Sequence, residues 1–270
     1  MHDHHTHEAA GWVWTDLAGL LPFAAAIALY IAAAILSSRQ HRKWPIYRTV
    51  LWVLGVLCAA AAVTGPLAER AHTDFTAHML GHLLLGMLGP LLLVLSAPMT
   101  LFFRSVPVSL GRKTSRLLKS RPVRFLSDPI TASVLNIGGL WLLYTTTLYS
   151  AMHDSLLVHI VVHFHVFAAG YLFTISMIYI DPASHRTSFL YRAVVLTMAL
   201  AGHGILSKFI YANPPAGVAS QQAESGGMLM YYGGDAIDVI IIIILCYQWY
   251  KAAKPRTSSF ELKTSKGAVQ

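Results

Sequence analysis

The sequence predicts an all-α, polytopic membrane helical bundle of about seven transmembrane helices, with the N-terminus outside and the C-terminus cytoplasmic. Three observations predict it. Only 12% of residues are charged and 55% are apolar. Apolar runs recur along the chain, each near the roughly 20 residues that a helix needs to cross the hydrocarbon. Lys and Arg crowd into alternate segments between those runs. A soluble domain carries about 25% charged residues, so the deficit points to lipid.

The runs fall at Leu17–Leu36, Tyr47–Pro66, Ala77–Pro98, Ile130–Tyr149, Ser155–Tyr179, Phe189–Ile210 and Met228–Tyr250. They divide the chain into an outer His-rich tail (1–16), a seven-span membrane domain (17–250) and a basic cytoplasmic tail (251–270). No Lys or Arg precedes the first run, so it does not read as a cleavable signal. The first connection holds Arg39, Arg42, Lys43 and Arg48; the second only Arg70; the third seven cations from Arg104 to Arg124. The fourth holds none, the fifth Arg186 and Arg192, the sixth Lys208, and the C-terminal tail five. Alternate segments therefore hold 18 and 2, which orients the chain by the positive-inside rule and requires an odd number of spans. The formal charge of +8 is thus a topology signal directed at membrane lipid, and no nucleic acid is expected as a partner. The loop Arg104–Asp128 carries Leu110, Leu117 and Leu118 among its cations. It reads either as a solvated loop or as an amphipathic segment on the anionic leaflet, where each nearby cation is worth about 1 kcal/mol. Cys58 and Cys246 lie in separate apolar runs, form no CxxC pair, and read as small hydrophobes.

The histidines segregate on a topology drawn from Lys and Arg alone. Of fourteen, only His41 and His185 fall on the cytoplasmic side. His72, His78, His82, His153, His159, His163, His165, His203 and the tail histidines fall in the outer half or beyond it. His82, His163 and His203 lie roughly 9–13 Å below the outer ends of their helices at 1.5 Å per residue. Asp235 and Asp238 in the last run lie about as deep, and both are expected to face the interior, because intramembrane ionisable residues are expensive and usually face a bundle.

Spacing within each helix suits ligation. His78 and His82 are four apart, as are His159 and His163, and residues at i and i+4 share a face. Asp74 extends the first row by four more if the helix starts early. One such pair alone is better explained by packing; two pairs, His203 and two acids on one side point to a metal centre. The candidate ligands are His78, His82, His159, His163, His203, Asp235 and Asp238, with His72, Asp74, His153 and Met79 as secondary candidates. Imidazole suits copper, zinc, iron and nickel, so the ligand type leaves the metal open. Met79, Met152, Met228 and Met230 lie toward the same face, as soft ligands for Cu(I) or as gap-fillers in an apolar core.

The run HMLGHLLLGMLGPLLLVLSAP, His78 to Pro98, resembles the third-span signature of the CtaG family, membrane proteins that assist assembly of caa-type cytochrome c oxidases. HIVVHFHVFAAGYLFTISMIYIDP, His159 to Pro182, resembles its fifth-span motif, and SGGMLMYYGGD, Ser225 to Asp235, its last span. The chain departs from the family where SQQAESGG replaces an Asp-Gln-rich approach to that span. The resemblance implies copper supply to a cytochrome c oxidase subunit during assembly in a bacterial cytoplasmic membrane, with His78, His82, His159 and His163 carried over, and no enzyme activity. Two other readings stay open: a seven-span zinc hydrolase with Asp235 or Asp238 as base, and a b-type haem protein with axial histidines from two helices.

Overall fold

The computed structural model describes residues 4–182 and 186–254, with side chains described from residue 19. The end of the basic tail and His185 lie outside the described residues, as do His2 and the side chains of the expected His-rich tail. Twelve helical segments follow one another: α1 His4–Gln40, α2 Ile46–Val63, α3 Gly65–Ala71, α4 Phe75–Leu95, α5 Pro98–Ser105, α6 Val108–Leu118 and α7 Arg121–Leu126. Then come α8 (129–145), α9 Leu148–Asp154, α10 Leu156–Met177, α11 Phe189–Ala212 and α12 Ser220–Ala253. The described residues hold no strand, and the protein is an all-α polytopic membrane bundle.

Six helices among the described residues are long and apolar enough to cross a membrane: the Gly19–Gln40 part of α1, and α2, α4, α10, α11 and α12. The expected fourth span, Ile130–Tyr149, is shorter: α8 ends at Thr145 and carries a π-turn at Val134–Gly138. It still traverses the bundle. At its start, the Tyr191 hydroxyl donates to Asp128 (3.1 Å); at its end, Tyr144 meets His78. The tight Thr-rich corner after Thr145 then turns the chain into α9, which ends the run before Tyr149.

Local chemistry sets the ends. Asp74 caps α4 by accepting from the amides of Thr76 (2.8 Å) and Ala77 (3.3 Å), and Asp128 caps α8 beside Pro129. Gly65, at φ 76°, makes the turn into α3. α4 ends at Leu95, and Ala97 beyond it is left-handed at φ 55° in front of Pro98, which disfavours a right-handed helical residue before it. The α5 start is capped from a distance: Asp181, past the end of α10, accepts from the Met99 and Thr100 amides at 3.0 and 2.7 Å.

Glycine sets the helix spacing that matters for the site. A Cβ on Gly170 of α10 would run into the backbone carbonyl of Gly86 in α4, so these two helices touch through bare backbone. Gly86 lies in a second π-turn, Leu84–Leu88. The helix ends sort into two faces. His72, His153 and His159 gather at one, while Arg42, Arg104, Asp181, Arg192 and Gln248 lie at the other. At that basic end, α6 and α7 bury no residue and leave Val108, Leu117 and Phe125 exposed among their cations.

Candidate metal centre

The candidate histidines form a ladder of falling exposure rather than one ring. His72, after α3, and His153, in α9, are exposed; His159 and His163 in α10 are half-buried; His78 and His82 in α4 and His203 in α11 are buried. The rings of His72 lie 6.2 Å from His153 and 5.4 Å from His159, and His159 stacks on His163 at 4.1 Å. Farther in, His82 faces His203 across 6.5 Å, with ring planes 28° apart.

Two cavities divide the ladder. An open mouth of about 590 Å³ is lined by His72, His153, His159, His163 and Met152. Beyond it lies a cavity of about 20 Å³ lined by His78, His82, His163, Tyr144 and Met152. A water-sized particle needs about 10–15 Å³, so this space holds one ion or one water. His163 lines both. His159 lines the mouth with His163 but not the inner cavity, so the four histidines expected at one meeting point are divided between two spaces that share His163.

Hydrogen bonds decide which ring nitrogens are free. His163 Nδ1 lies 2.9 Å from the His159 carbonyl, and His153 Nδ1 lies 2.9 Å from the Tyr149 carbonyl. A carbonyl only accepts, so each Nδ1 carries the proton and donates it, leaving Nε2 as a lone pair in the neutral ring. Metal-ligating histidines commonly donate their other ring N–H to a carbonyl in this way. His78 Nε2 lies 3.1 Å from the Tyr144 hydroxyl. Neither nitrogen of His82 has a hydrogen-bond partner, although the side chain is only 6% exposed. Buried polar atoms are normally paired, so the two unpartnered nitrogens of His82 are an exception.

Other expected residues are placed differently. Asp74 is the α4 cap and also pairs with Arg70 at 3.1 Å; its carboxylate is engaged at the helix end and does not point along the His78 row. Partial burial raises its pKa, but the Ala77 and Thr76 amides and the Arg70 guanidinium outweigh that and hold it below the ordinary value. Asp235, expected inside with Asp238, is exposed on the flank of α12; three residues subtend about 300° on a helix, enough to turn one acid outward while Asp238 stays buried. Met79 is fully buried in an apolar cluster with Phe75, Leu206 and Met230, where it fills space. His165 turns away and bonds the Leu135 carbonyl at 3.1 Å, tying α10 to the π-turn of α8. Among the described residues, no three His, Cys, Asp or Glu side chains stand together as a formed metal cage. Tyr144 and Tyr149, which wall His78 at ring distances of 6.0 and 5.1 Å, were not among the expected site residues. Their one sequence signal was position at the outer end of an apolar run, which also describes any interfacial tyrosine.

The family described as cytochrome c oxidase caa3 assembly factor (Caa3_CtaG) matches residues 28–252. The chain is 34% identical over 201 residues to the uncharacterized protein Mb0105 of Mycobacterium bovis and to MT0111 of Mycobacterium tuberculosis. Each match covers 71% of this chain and 30% of the relative. It is 27% identical over 261 residues to ML1998 of Mycobacterium leprae, covering 88% of this chain and 39% of the relative. The chain thus spans about a third of the length of these relatives. No solved structure matches it.

Proposed function

The chain belongs to the cytochrome c oxidase caa3 assembly factor family, and on that premise we propose that it binds copper at the outer face of the bacterial cytoplasmic membrane and delivers it to a cytochrome c oxidase subunit during assembly. Copper is cargo here, not a resident cofactor, and the chain is not an enzyme. One observation carries the reading: His78, His82 and His163 line a cavity of single-ion size in which both nitrogens of His82 lack partners. The ladder of His72, His153 and His159 gives an ion a graded approach from the mouth. Histidine pairs without a thiolate cage suit release as well as capture, because imidazole binds copper while leaving its coordination open to exchange.

The test replaces His78 and His82 together by Ala in cells that depend on the oxidase. Insertion rests on apolar length and loop charge, which the change preserves, so protein level stays normal. Oxidase activity and oxidase copper fall, and excess copper in the medium partly restores both. Normal oxidase copper in the double variant would refute the reading.

A further inference from the structure

A second small cavity lies deeper than the histidine cluster, among α4, α8, α10, α11 and α12. Its volume is about 20 Å³, again room for a single ion or water. His203 of α11, Asp238 of α12 and Asn136 of α8 bring polar groups to it. His203 and Asp238 are each only 3% exposed. His203 Nε2 has no hydrogen-bond partner. Among the described residues, no hydrogen bond or ion pair engages the Asp238 carboxylate or the Asn136 amide. An unpaired polar atom this deep in a membrane bundle is costly, and His203 Nε2 shares one space with the buried Asp238 and the half-buried Asn136.

The backbone singles out the same place. Both π-turns of the described residues line it: Gly86 and Met87 come from Leu84–Leu88, and Asn136 and Ile137 from Val134–Gly138. Such turns interrupt a helix at a cost and recur at functional sites. Here the second one carries Asn136 to the cavity wall. Gly234 serves the arrangement as well, since any Cβ there would collide with the His203 ring.

We infer that this cavity is a second copper station, holding a divalent ion through His203, Asp238 and Asn136. The inference rests on the copper reading above and adds a destination to it. Its donor set of one imidazole nitrogen with carboxylate and amide oxygens differs from the imidazole-rich outer cavity and suits Cu(II) rather than Cu(I). The 6.5 Å between the His82 and His203 rings is the step that joins the two stations.

The test counts bound Cu(II) on the full chain purified into lipid nanodiscs, by dialysis and metal analysis, with EPR spectra recorded alongside. His203→Gln and Asp238→Asn each bind one equivalent less than wild type, and the missing EPR component is the same in both. His78→Ala with His82→Ala also binds one equivalent less but loses a different component. Combining this pair with His203→Gln removes two. Circular dichroism and elution volume check that each variant is folded, and Asp238→Asn, which keeps size and shape, covers the case in which His203→Gln misfolds. If the combined variant loses only one equivalent, there is a single shared site and the second station is overturned while copper binding stands. Full wild-type stoichiometry in folded Asp238→Asn and His203→Gln overturns it equally. A wild-type chain that binds no copper removes both the copper reading and this inference.

Discussion

The hydroxyl of Tyr144 lies 3.1 Å from Nε2 of His78, and no such partner reaches His82 one turn farther along the same helix. The two histidines share a face and nearly equal burial, yet one is occupied and the other free. That difference comes from α8, whose last turn brings Tyr144 against the first turn of α4.

Replacing Tyr144 by Phe removes the oxygen and little else. A buried imidazole nitrogen then loses its partner, which costs about 1–3 kcal/mol when the remaining group stays buried. We predict a lower unfolding temperature in detergent with unchanged helix content. An unfolding temperature equal to that of wild type would mean that the bond contributes nothing.

The Gly170–Gly86 crossing predicts an asymmetry between two glycines. Gly170→Ala places a methyl against a backbone carbonyl that has nowhere to go, and overpacking of this kind costs about 1–3 kcal/mol or more. Gly138 sits at helical φ −63° and meets only a Val134 methyl at 3.9 Å. Gly138→Ala is therefore neutral or stabilising by about 0.5–1 kcal/mol. Thermal unfolding of the two variants side by side reads the difference, and equal loss in both would contradict the close approach.

Asp74 predicts a pH effect at the start of α4. Its pKa is held below the ordinary value, so its capping contribution is fully present above about pH 4 and is lost as pH falls through the folded-state value. Asp74→Ala removes about 1 kcal/mol of helix-end stabilisation, and Asp74→Asn, which also caps, removes less. The stability difference between wild type and Asp74→Ala shrinks as the solution is acidified. A difference that stays constant down to pH 2 would show that the charge is irrelevant.

Topology predicts a labelling pattern. With Cys58 and Cys246 changed to Ser, His153→Cys reacts with an impermeant thiol reagent in intact cells, whereas Arg112→Cys and Lys254→Cys react only after the membrane is opened. Labelling of Lys254→Cys from outside would invert the assignment of sides on which the delivery proposal depends.

Much of the fold was legible in the sequence because membrane insertion is governed by local quantities. Apolar run length and the alternation of Lys and Arg are one-dimensional, and α2, α4, α10, α11 and α12 formed where the runs lay. The fourth span was less legible, since neither the π-turn at Val134–Gly138 nor the break after Thr145 leaves a hydropathy signal. The candidate site was legible as a helix face. The i, i+4 rows His78–His82 and His159–His163 are properties of helical geometry alone.

What lay between helices was decided only by the tertiary structure. Sequence placed Asp235 and Asp238 together, but the rotation of α12 against α11 buries Asp238 and exposes Asp235. Sequence grouped the histidines by depth, but the bare-backbone contact of Gly170 on Gly86 sets α10 against α4 and divides them between a mouth and an inner cavity. Sequence by itself determined that this chain is a membrane bundle and gathered its histidines toward one end, because hydrophobic length, charge bias and helical period act along the chain. Which imidazoles meet, which nitrogens stay free and which acid is buried depend on helix rotation and crossing distance, and those arise only when separate helices pack.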